Sequence, residues 1–152
     1  MLSKVVLNPL NFFMLFFSTK IIGAHTSTRI MSNYTGVNSV AYVTVPTNEV
    51  AKKIAQGLVK SKLAACVNII PQVTSIYEWK GEINEDNELL LIIKTRTDTV
   101  DDLTKYVKQN HPYEVCEVIS FPIQNGNEDY FKWMNDIIPP RDKREEGKEV
   151  SS

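Results

Sequence analysis

Hydrophobic and polar positions repeat with two different periods along the middle of the chain. Residues 40–45 form a short apolar and β-branched run closed by Pro46, which predicts a first strand. A helix is predicted next, because Thr47 can cap its start and Glu49 lies in the first turn, where the helix dipole favours an anion. The apolar stripe of this helix has helical spacing: Val50, Ala51, Ile54, Ala55, Leu58 and Val59.

Two longer apolar runs follow, and together they predict a hairpin. Residues 66–79 are expected to form a strand at a sheet edge, broken or bulged near Pro71, because proline cannot donate to a strand ladder. Residues 79–82 supply a turn, and residues 89–95 form the core of the third strand.

The second half of the chain predicts a helix, a strand and a final helix. The helix starts at Asp98 and is terminated by Pro112, the strand covers residues 115–123, and the last helix covers residues 129–138. The inward residues of that last helix are predicted to be Tyr130, Trp133, Met134 and Ile137. The order β-α-β-β-α-β-α is the split βαβ, or ferredoxin-like, arrangement. We therefore predict an α+β fold, a ferredoxin-like βαββαβ sandwich with an extra C-terminal helix.

The strands of this predicted sheet do not alternate apolar with polar residues. Residues 89–93 are apolar throughout, and residues 64–70 nearly so. In a lone two-layer domain the far face of an antiparallel sheet meets water, so its strands should alternate. No further segment is long enough to cover that face, and we predict that other copies of the chain cover it. The alternative is that one helix straddles the sheet edge.

The composition of the 152 residues limits the classes of function. Hydrophobic residues make up 43% and charged residues 23%, which is typical of one globular domain. The net charge of -1 gives no basic excess, so no nucleic-acid partner is expected. The two cysteines, Cys66 and Cys116, are predicted on opposite edges of the sheet, too far apart for an intrachain disulfide. Edge strands of adjacent copies could meet, which leaves open a bond or a shared metal between chains.

Both ends of the chain differ from its middle, and we expect the folded domain to cover residues 39–138. Residues 1–38 contain no Asp or Glu, and Lys4 followed by an apolar segment through Phe17 is typical of a signal peptide. A mitochondrial presequence is the next alternative, and a start at Met31 would leave a cytoplasmic chain without this segment. Residues 139–152 are mostly charged and are expected to be a disordered tail.

Five motifs in the middle of the chain resemble those of one known family. They are Leu63-Ala64-Ala65-Cys66-Val67-Asn68, Tyr77-Glu78-Trp79-Lys80-Gly81, Ile93-Lys94-Thr95, His111-Pro112-Tyr113-Glu114, and Tyr130 with Trp133. In this order and spacing they resemble the CutA family of divalent-cation tolerance proteins over residues 39–138. The resemblance implies a homotrimer around a threefold axis, with an architecture similar to the PII signalling proteins. It also implies an association with copper and other divalent ions in bacteria, and with the anchoring or processing of acetylcholinesterase in animals.

Carried over from the family, the metal-associated residues are Cys66 and His111, and Glu114 could add an oxygen ligand. A thiolate and a neutral imidazole suit copper, and a thiolate favours Cu(I) in particular. Two positions depart from the family pattern: Val43 stands where some bacterial members have a further cysteine, and Cys116 stands where a proline is usual. The alternative interpretation is structural, with Cys66 as a small buried apolar residue, His111 as a helix-terminal residue and Glu114 as a solvated one.

Three classes of function follow from these residues. The first is a trimer that binds copper or another divalent ion and is linked to metal tolerance. The second is a structural or interaction module with a secretory or membrane protein partner. The third is a PII-like small-molecule sensor. The chain shows neither a nucleophile beside a histidine and an acid at a known spacing nor a glycine-rich phosphate loop, so no enzymatic activity is expected. Tyr77 and Trp79 are predicted to be interface or core anchors rather than a stacking platform for a ligand.

Overall fold

The computed structural model describes residues 34–144. The predicted targeting segment therefore lies outside the described residues except for residues 34–38, as does the end of the predicted tail. Within the described part Tyr34 packs on Phe131, with ring centres 5.8 Å apart, and Arg144 donates to Thr99 at 2.5 Å. Residues on both sides of 39–138 therefore contact the domain, whose predicted boundaries stay predictions.

The strands and helices follow one another in the predicted order. They are β1 (Asn38–Val45), α1 (Asn48–Lys60), β2 (Cys66–Trp79), β3 (Glu82–Arg96), a 3-10 turn (Thr97–Thr99), α2 (Val100–Asn110), β4 (Ile119–Pro122) and α3 (Glu128–Ile137). The four strands form one antiparallel sheet in the order β2-β3-β1-β4. The α+β class and the ferredoxin-like arrangement are confirmed, and β2 lies at a sheet edge as predicted. Within residues 34–144 no helix combines the length and the apolar content needed to cross a bilayer.

The core lies between one face of the sheet and the helices α1 and α2. Alternate residues of β1 and β3 point into it and are fully buried: Ala41, Val43, Val45, Leu91 and Ile93. The Thr47 side chain accepts from the backbone N–H of Val50, which confirms the predicted cap of α1. Gly57 allows the two helices to approach closely, because a Cβ there would collide with the Tyr106 hydroxyl.

The opposite face of the sheet, which we call the second face, is also apolar. Its residues on the central strands are half-buried: Val40, Tyr42, Leu90 and Ile92. On the edge strand β4, Ile119 is 52% exposed and Phe121 44% exposed. Helix α3 covers one end of this face, where Arg96 donates to Asn135 at 2.6 Å. The absence of apolar-polar alternation is thus observed, while the homotrimer remains a prediction.

Strands β2 and β3 extend past the sheet as a two-stranded arm, residues 73–88. The pairing register shifts between Ile70 and Val73, which is the irregularity predicted near Pro71. At the tip, Trp79 pairs with Glu82, and both turn residues have positive φ, 54° at Lys80 and 85° at Gly81. A two-residue hairpin turn of this kind suits the twist of the strands, and glycine adopts it without strain.

Three sequence-based expectations were wrong in detail. Strand β4 covers Ile119–Pro122 rather than residues 115–123, because Cys116 and Val118 pack against the core from an irregular segment. Helix α2 begins at Val100 rather than at Asp98, which lies in the preceding 3-10 turn. The third concerns which residues of α3 face inward.

In α3 the buried residues are Phe131 and Met134, whereas Tyr130 is 39% exposed and Trp133 42% exposed in the single chain. The Phe131 ring packs against Gly126, in the loop before the helix, and against Tyr34, which lies just before β1. Helix α3 therefore turns Tyr130 and Trp133 away from the core.

Candidate functional site

A concave surface with polar chemistry lies between the arm and the segment that follows α2. This cleft has a volume of about 670 Å³. The arm contributes Ser75, Tyr77, Trp79, Lys80, Asp86 and Glu88, the segment after α2 contributes Pro112, Tyr113, Glu114, Val115 and Glu117, and β1 adds Thr44. We call it the arm cleft. Of the predicted metal ligands, Glu114 lines it directly.

Strand periodicity places the arm residues on one side of the cleft. Side chains two positions apart on a strand point to the same face, so Ser75, Tyr77 and Trp79 project together. The pairing of Ser75 with Asp86 puts Asp86 and Glu88 on that same face of the partner strand. The opposite wall begins where α2 ends at Asn110, because Pro112 cannot continue a helix.

His111 lies at the start of the segment after α2 and is buried, with 9% of its surface exposed. Its Nδ1 accepts from the backbone N–H of Tyr113 at 3.1 Å, so the proton lies on Nε2, which donates to the Thr44 carbonyl at 2.8 Å. The imidazole thus links β1 to the segment after α2. Neither of these hydrogen bonds involves a carbonyl of α2, and together they engage both ring nitrogens.

Tyr77 and Asp86 form a hydrogen-bonded pair on the arm. The Tyr77 hydroxyl donates to the Asp86 carboxylate at 2.5 Å. This hydrogen bond raises the pKa of Tyr77 to about 12, with smaller contributions from desolvation and from the negative charge of Asp86. The phenol is held in its neutral, donating form, and it orients the carboxylate in the cleft.

Glu88 is a buried acid in the same wall. It is 5% exposed, and its Oε2 accepts from the Ser75 hydroxyl at 2.6 Å. Across the cleft, burial raises the pKa of Tyr113, and the negative charges of Glu88 and Asp86 and a side-chain hydrogen bond with Glu88 add to the rise. The two walls are therefore close enough to interact electrostatically.

Cys66 lies far from this cleft. It starts β2 opposite Lys94, which in turn pairs with Val40, whereas His111 bonds to Thr44 four residues further along β1. At the rise of a strand, this is a separation of about 13 Å along the sheet. Among residues 34–144, no three His, Cys, Asp or Glu side chains are grouped as a metal centre.

The surroundings of Cys66 are those of a packed helix-sheet junction. The half-buried thiol is free, and its neighbour Ala65 packs with Phe131 and Met134 of α3. Burial raises the pKa of Tyr130, and the nearby Cys66 adds to the rise. Lys94, on the same face of the sheet, donates to the Asn68 side chain.

Sequence reasoning missed Asp86, Glu88 and Tyr113 of the arm cleft. It predicted Tyr77 and Trp79 to be interface or core anchors, and the interface role stays a prediction. In the single chain both aromatic residues are exposed and line the cleft. The sequence does contain a pattern that could have identified them. Asp86 and Glu88 lie two residues apart on one strand of the predicted hairpin, opposite Ser75 and Tyr77, which lie two residues apart on the other strand. Strand pairing brings such residues to one face.

The fold and the cleft define an α+β protein with a split βαβ sheet and a polar site at one end of that sheet. The family described as CutA1 divalent ion tolerance protein matches residues 39–137. The chain therefore belongs to this family, as its motifs indicated.

Individual relatives agree with this assignment. The chain is 58% identical to the Protein CutA homolog of Xenopus laevis, over 79% of this chain and 80% of that one. It is 53% identical to Protein CutA of Mus musculus, but spans only 58% of the length of that protein. A solved structure, the divalent cation tolerance protein (Cut A1) of Thermus thermophilus, has a TM-score of 0.62 and 51% identity, covering 63% of this chain and 93% of that chain. None of these names describes a catalytic activity.

Proposed function

We propose that this protein acts in the tolerance of divalent metal ions, as a homotrimer that binds copper or another divalent ion. The family membership of residues 39–137 supports the link to divalent ions. The observation that carries the assembly is the apolar second face, with Phe121 and Ile119 about half exposed. A contiguous apolar surface on one side of a sheet is typical of an interface between subunits.

Assembly is tested by sedimentation equilibrium of the full chain and of a variant that places a charge on the second face. The native chain should sediment as a trimer of 17.3 kDa subunits. Phe121→Glu should dissociate it, because a carboxylate cannot be buried unpaired in an apolar interface. Val59→Glu is the matched control, since Val59 is exposed to a similar extent but lies on α1. A native chain that sediments as a monomer would contradict the assembly.

For the metal, we propose Cys66, His111 and Glu114 as ligands in sites shared between copies of the chain. Their donor chemistry suits copper, and the thiolate suits Cu(I). One chain keeps Cys66 at the other end of the sheet from Glu114, so a site that uses both needs two chains. His111 can join only by giving up Thr44 or the Tyr113 N–H, which makes it the most weakly available ligand of the three.

Calorimetric titration of the full chain with Cu(I) and with Cu(II) tests the ligands. Cys66→Ser should weaken Cu(I) binding by at least about tenfold, because a hydroxyl is a much poorer ligand for a soft ion. Glu114→Gln should weaken Cu(II) binding more than Cu(I) binding. Cys116→Ser is the matched control for loss of a half-buried thiol. Equal affinities in Cys66→Ser and the native chain would rule out Cys66 as a ligand.

A further inference from the structure

The C-terminal segment that follows α3 folds back onto the start of α2. Ile138, which caps the end of α3, is fully buried, and the backbone N–H of Arg141 donates to the Asp98 carboxylate at 3.4 Å. The Arg144 side chain then reaches the first turn of α2. We call residues 139–144 the clasp. The match to the family ends before the clasp begins, so these contacts are an addition to the family domain.

Arg144 is the residue that closes the clasp. Its Nη1 donates to the Thr99 hydroxyl at 2.5 Å, and its Nη2 lies 3.6 Å from the Asp102 carboxylate. Thr99 is fully buried and donates its own proton to Asp98 at 3.0 Å, so its lone pairs accept from Arg144. Only 12% of the Arg144 side chain is exposed. The guanidinium is therefore withdrawn from solvent by partners in its own chain.

These contacts are separate from the proposed subunit interface. Helix α2 buries Leu103 and Val107 in the core, against the opposite side of the sheet from the second face. The Arg144 partners, Thr99 and Asp102, lie at the start of that helix. Assembly through the second face therefore neither supplies nor replaces the partners of Arg144.

The sequence of the clasp contains a pattern that proteases recognise. Residues 141–144 read Arg-Asp-Lys-Arg, and nowhere else in the 152 residues are two arginines three positions apart with a lysine before the second one. Serine endoproteases of the secretory pathway select basic residues in this spacing. The last arginine enters an acidic pocket of the protease, and a carboxylate holds the planar guanidinium there through paired hydrogen bonds.

The folded clasp withholds this pattern from a protease. A protease binds its substrate as an extended strand, whereas residues 141–144 form a helical turn in which the Arg144 N–H donates to the Pro140 carbonyl at 3.2 Å. Asp102 and Thr99 also hold the guanidinium that the protease pocket must bind. Cleavage therefore requires a locally opened state, and its rate follows the population of that state.

We propose that the Arg144–Glu145 bond is a cleavage site for a serine endoprotease selective for paired basic residues, and that the clasp gates it. Water adds across this peptide bond, which leaves a carboxylate on Arg144 and an amino group on Glu145 and releases residues 145–152. Proteases of this class act in the secretory pathway, so the site is used by chains that enter it through the predicted signal peptide. No metal takes part, and the proposal stands or falls apart from the proposed metal function.

Digestion of the full chain with purified furin, a calcium-dependent protease of this class, followed by intact mass measurement, tests the gate. We expect a cut after Arg144 that is about tenfold faster in Thr99→Val, because this variant removes a hydrogen bond to a charged donor. Asp102→Asn should speed the cut by about threefold, since a partly exposed ion pair is weaker. Asp101→Asn is the matched control, because Asp101 is an exposed acid of the same helix turn.

Three results of this digestion would overturn the proposal. The first is the absence of a cut after Arg144 in both the native chain and Thr99→Val. The second is an equal rate in these two chains, because the clasp would then not control access. The third is equal acceleration by Asp101→Asn and Asp102→Asn, which is the behaviour of a generally loosened helix. If Thr99→Val does not fold, as judged by circular dichroism, the comparison of the two aspartate variants decides alone.

The mass of the chain recovered from animal cells and from their medium tests whether the site is used. Loss of residues 145–152 from the native chain, with their retention in Arg144→Ala, is the expected result, because alanine offers no cation to the protease pocket. Retention of residues 145–152 by the native chain in both fractions would overturn the proposal. Their loss from Arg144→Ala would overturn it as well, since cleavage would not depend on this arginine.

Discussion

The two ends of the sheet differ in how tightly their side chains pack and in how polar they are. At the end where β2 begins, Cys66 and Ala65 lie beside α3, whose Phe131 and Met134 are buried. At the other end, the arm and the segment after α2 enclose a cleft lined by four carboxylates and by the half-exposed rings of Tyr77 and Trp79. One end is held by the packing of apolar side chains, whereas the other carries polar and aromatic side chains on the surface of the single chain. We infer that the family motif around Cys66 owes part of its form to packing.

The largest expected effect is on stability, at the Cys66 end. Met134→Ala should lower the free energy of unfolding by about 2–5 kcal/mol, because it removes a fully buried side chain and leaves a cavity. Urea unfolding followed by circular dichroism measures it. The exposed Lys132→Ala on the same helix is the control and should change the free energy by less than about 0.5 kcal/mol. Equal stability of Met134→Ala and the native chain would show that this end is not a packed junction.

A smaller loss of stability is expected at the start of the segment after α2. His111→Ala leaves the Thr44 carbonyl and the Tyr113 N–H without their imidazole partner, at a cost of about 1–3 kcal/mol. The same urea titration measures this cost, with the exposed Lys108→Ala of α2 as control. If His111→Ala unfolded with the native midpoint, the imidazole would not be the link between β1 and the segment after α2.

The smallest expected effect concerns the ionisation of the Tyr77 hydroxyl. The hydrogen bond to Asp86 raises the pKa of Tyr77 to about 12. A raised folded-state pKa means that this bond contributes stability below about pH 10, the ordinary tyrosine value, and loses it as the pH rises through about 12. Ultraviolet titration of the phenols should include a late step from Tyr77, in addition to the raised Tyr113 and Tyr130, and Asp86→Asn should move the Tyr77 step toward its ordinary range. An unchanged titration curve in Asp86→Asn would show that the pair does not form.

Much of the fold could be predicted from local patterns. The cap at Thr47, the irregularity near Pro71 and the edge position of β2 follow from the hydrogen-bonding limits of single residues, and they were confirmed. The extent of β4 could not be predicted, because Val115 to Val118 have strand-forming composition but their conformation is decided by packing against the core. The same holds for α3, where Phe131 packs against Tyr34, a residue distant in sequence.

The candidate site was only partly accessible from the sequence. Glu114 and His111 were singled out by the motif that contains them, and the structure places one in the cleft wall and the other, buried, at the start of the same segment. Cys66 belongs to a separate motif, and only the strand register reveals that it lies at the other end of the sheet. Glu88 was passed over because a single acid in a strand is ordinarily solvated, and its burial depends on the packing of the whole arm.

Hydrogen exchange of the native full chain and of Met134→Ala, resolved by mass spectrometry, tests this division between the two ends most directly. We expect Met134→Ala to speed exchange in peptides that cover residues 63–68 and 128–137, because Ala65 and α3 share one buried cluster, and to leave exchange unchanged in peptides that cover residues 75–88 and 111–117. Equally faster exchange in the arm peptides, or no change around Cys66 and α3, would contradict it.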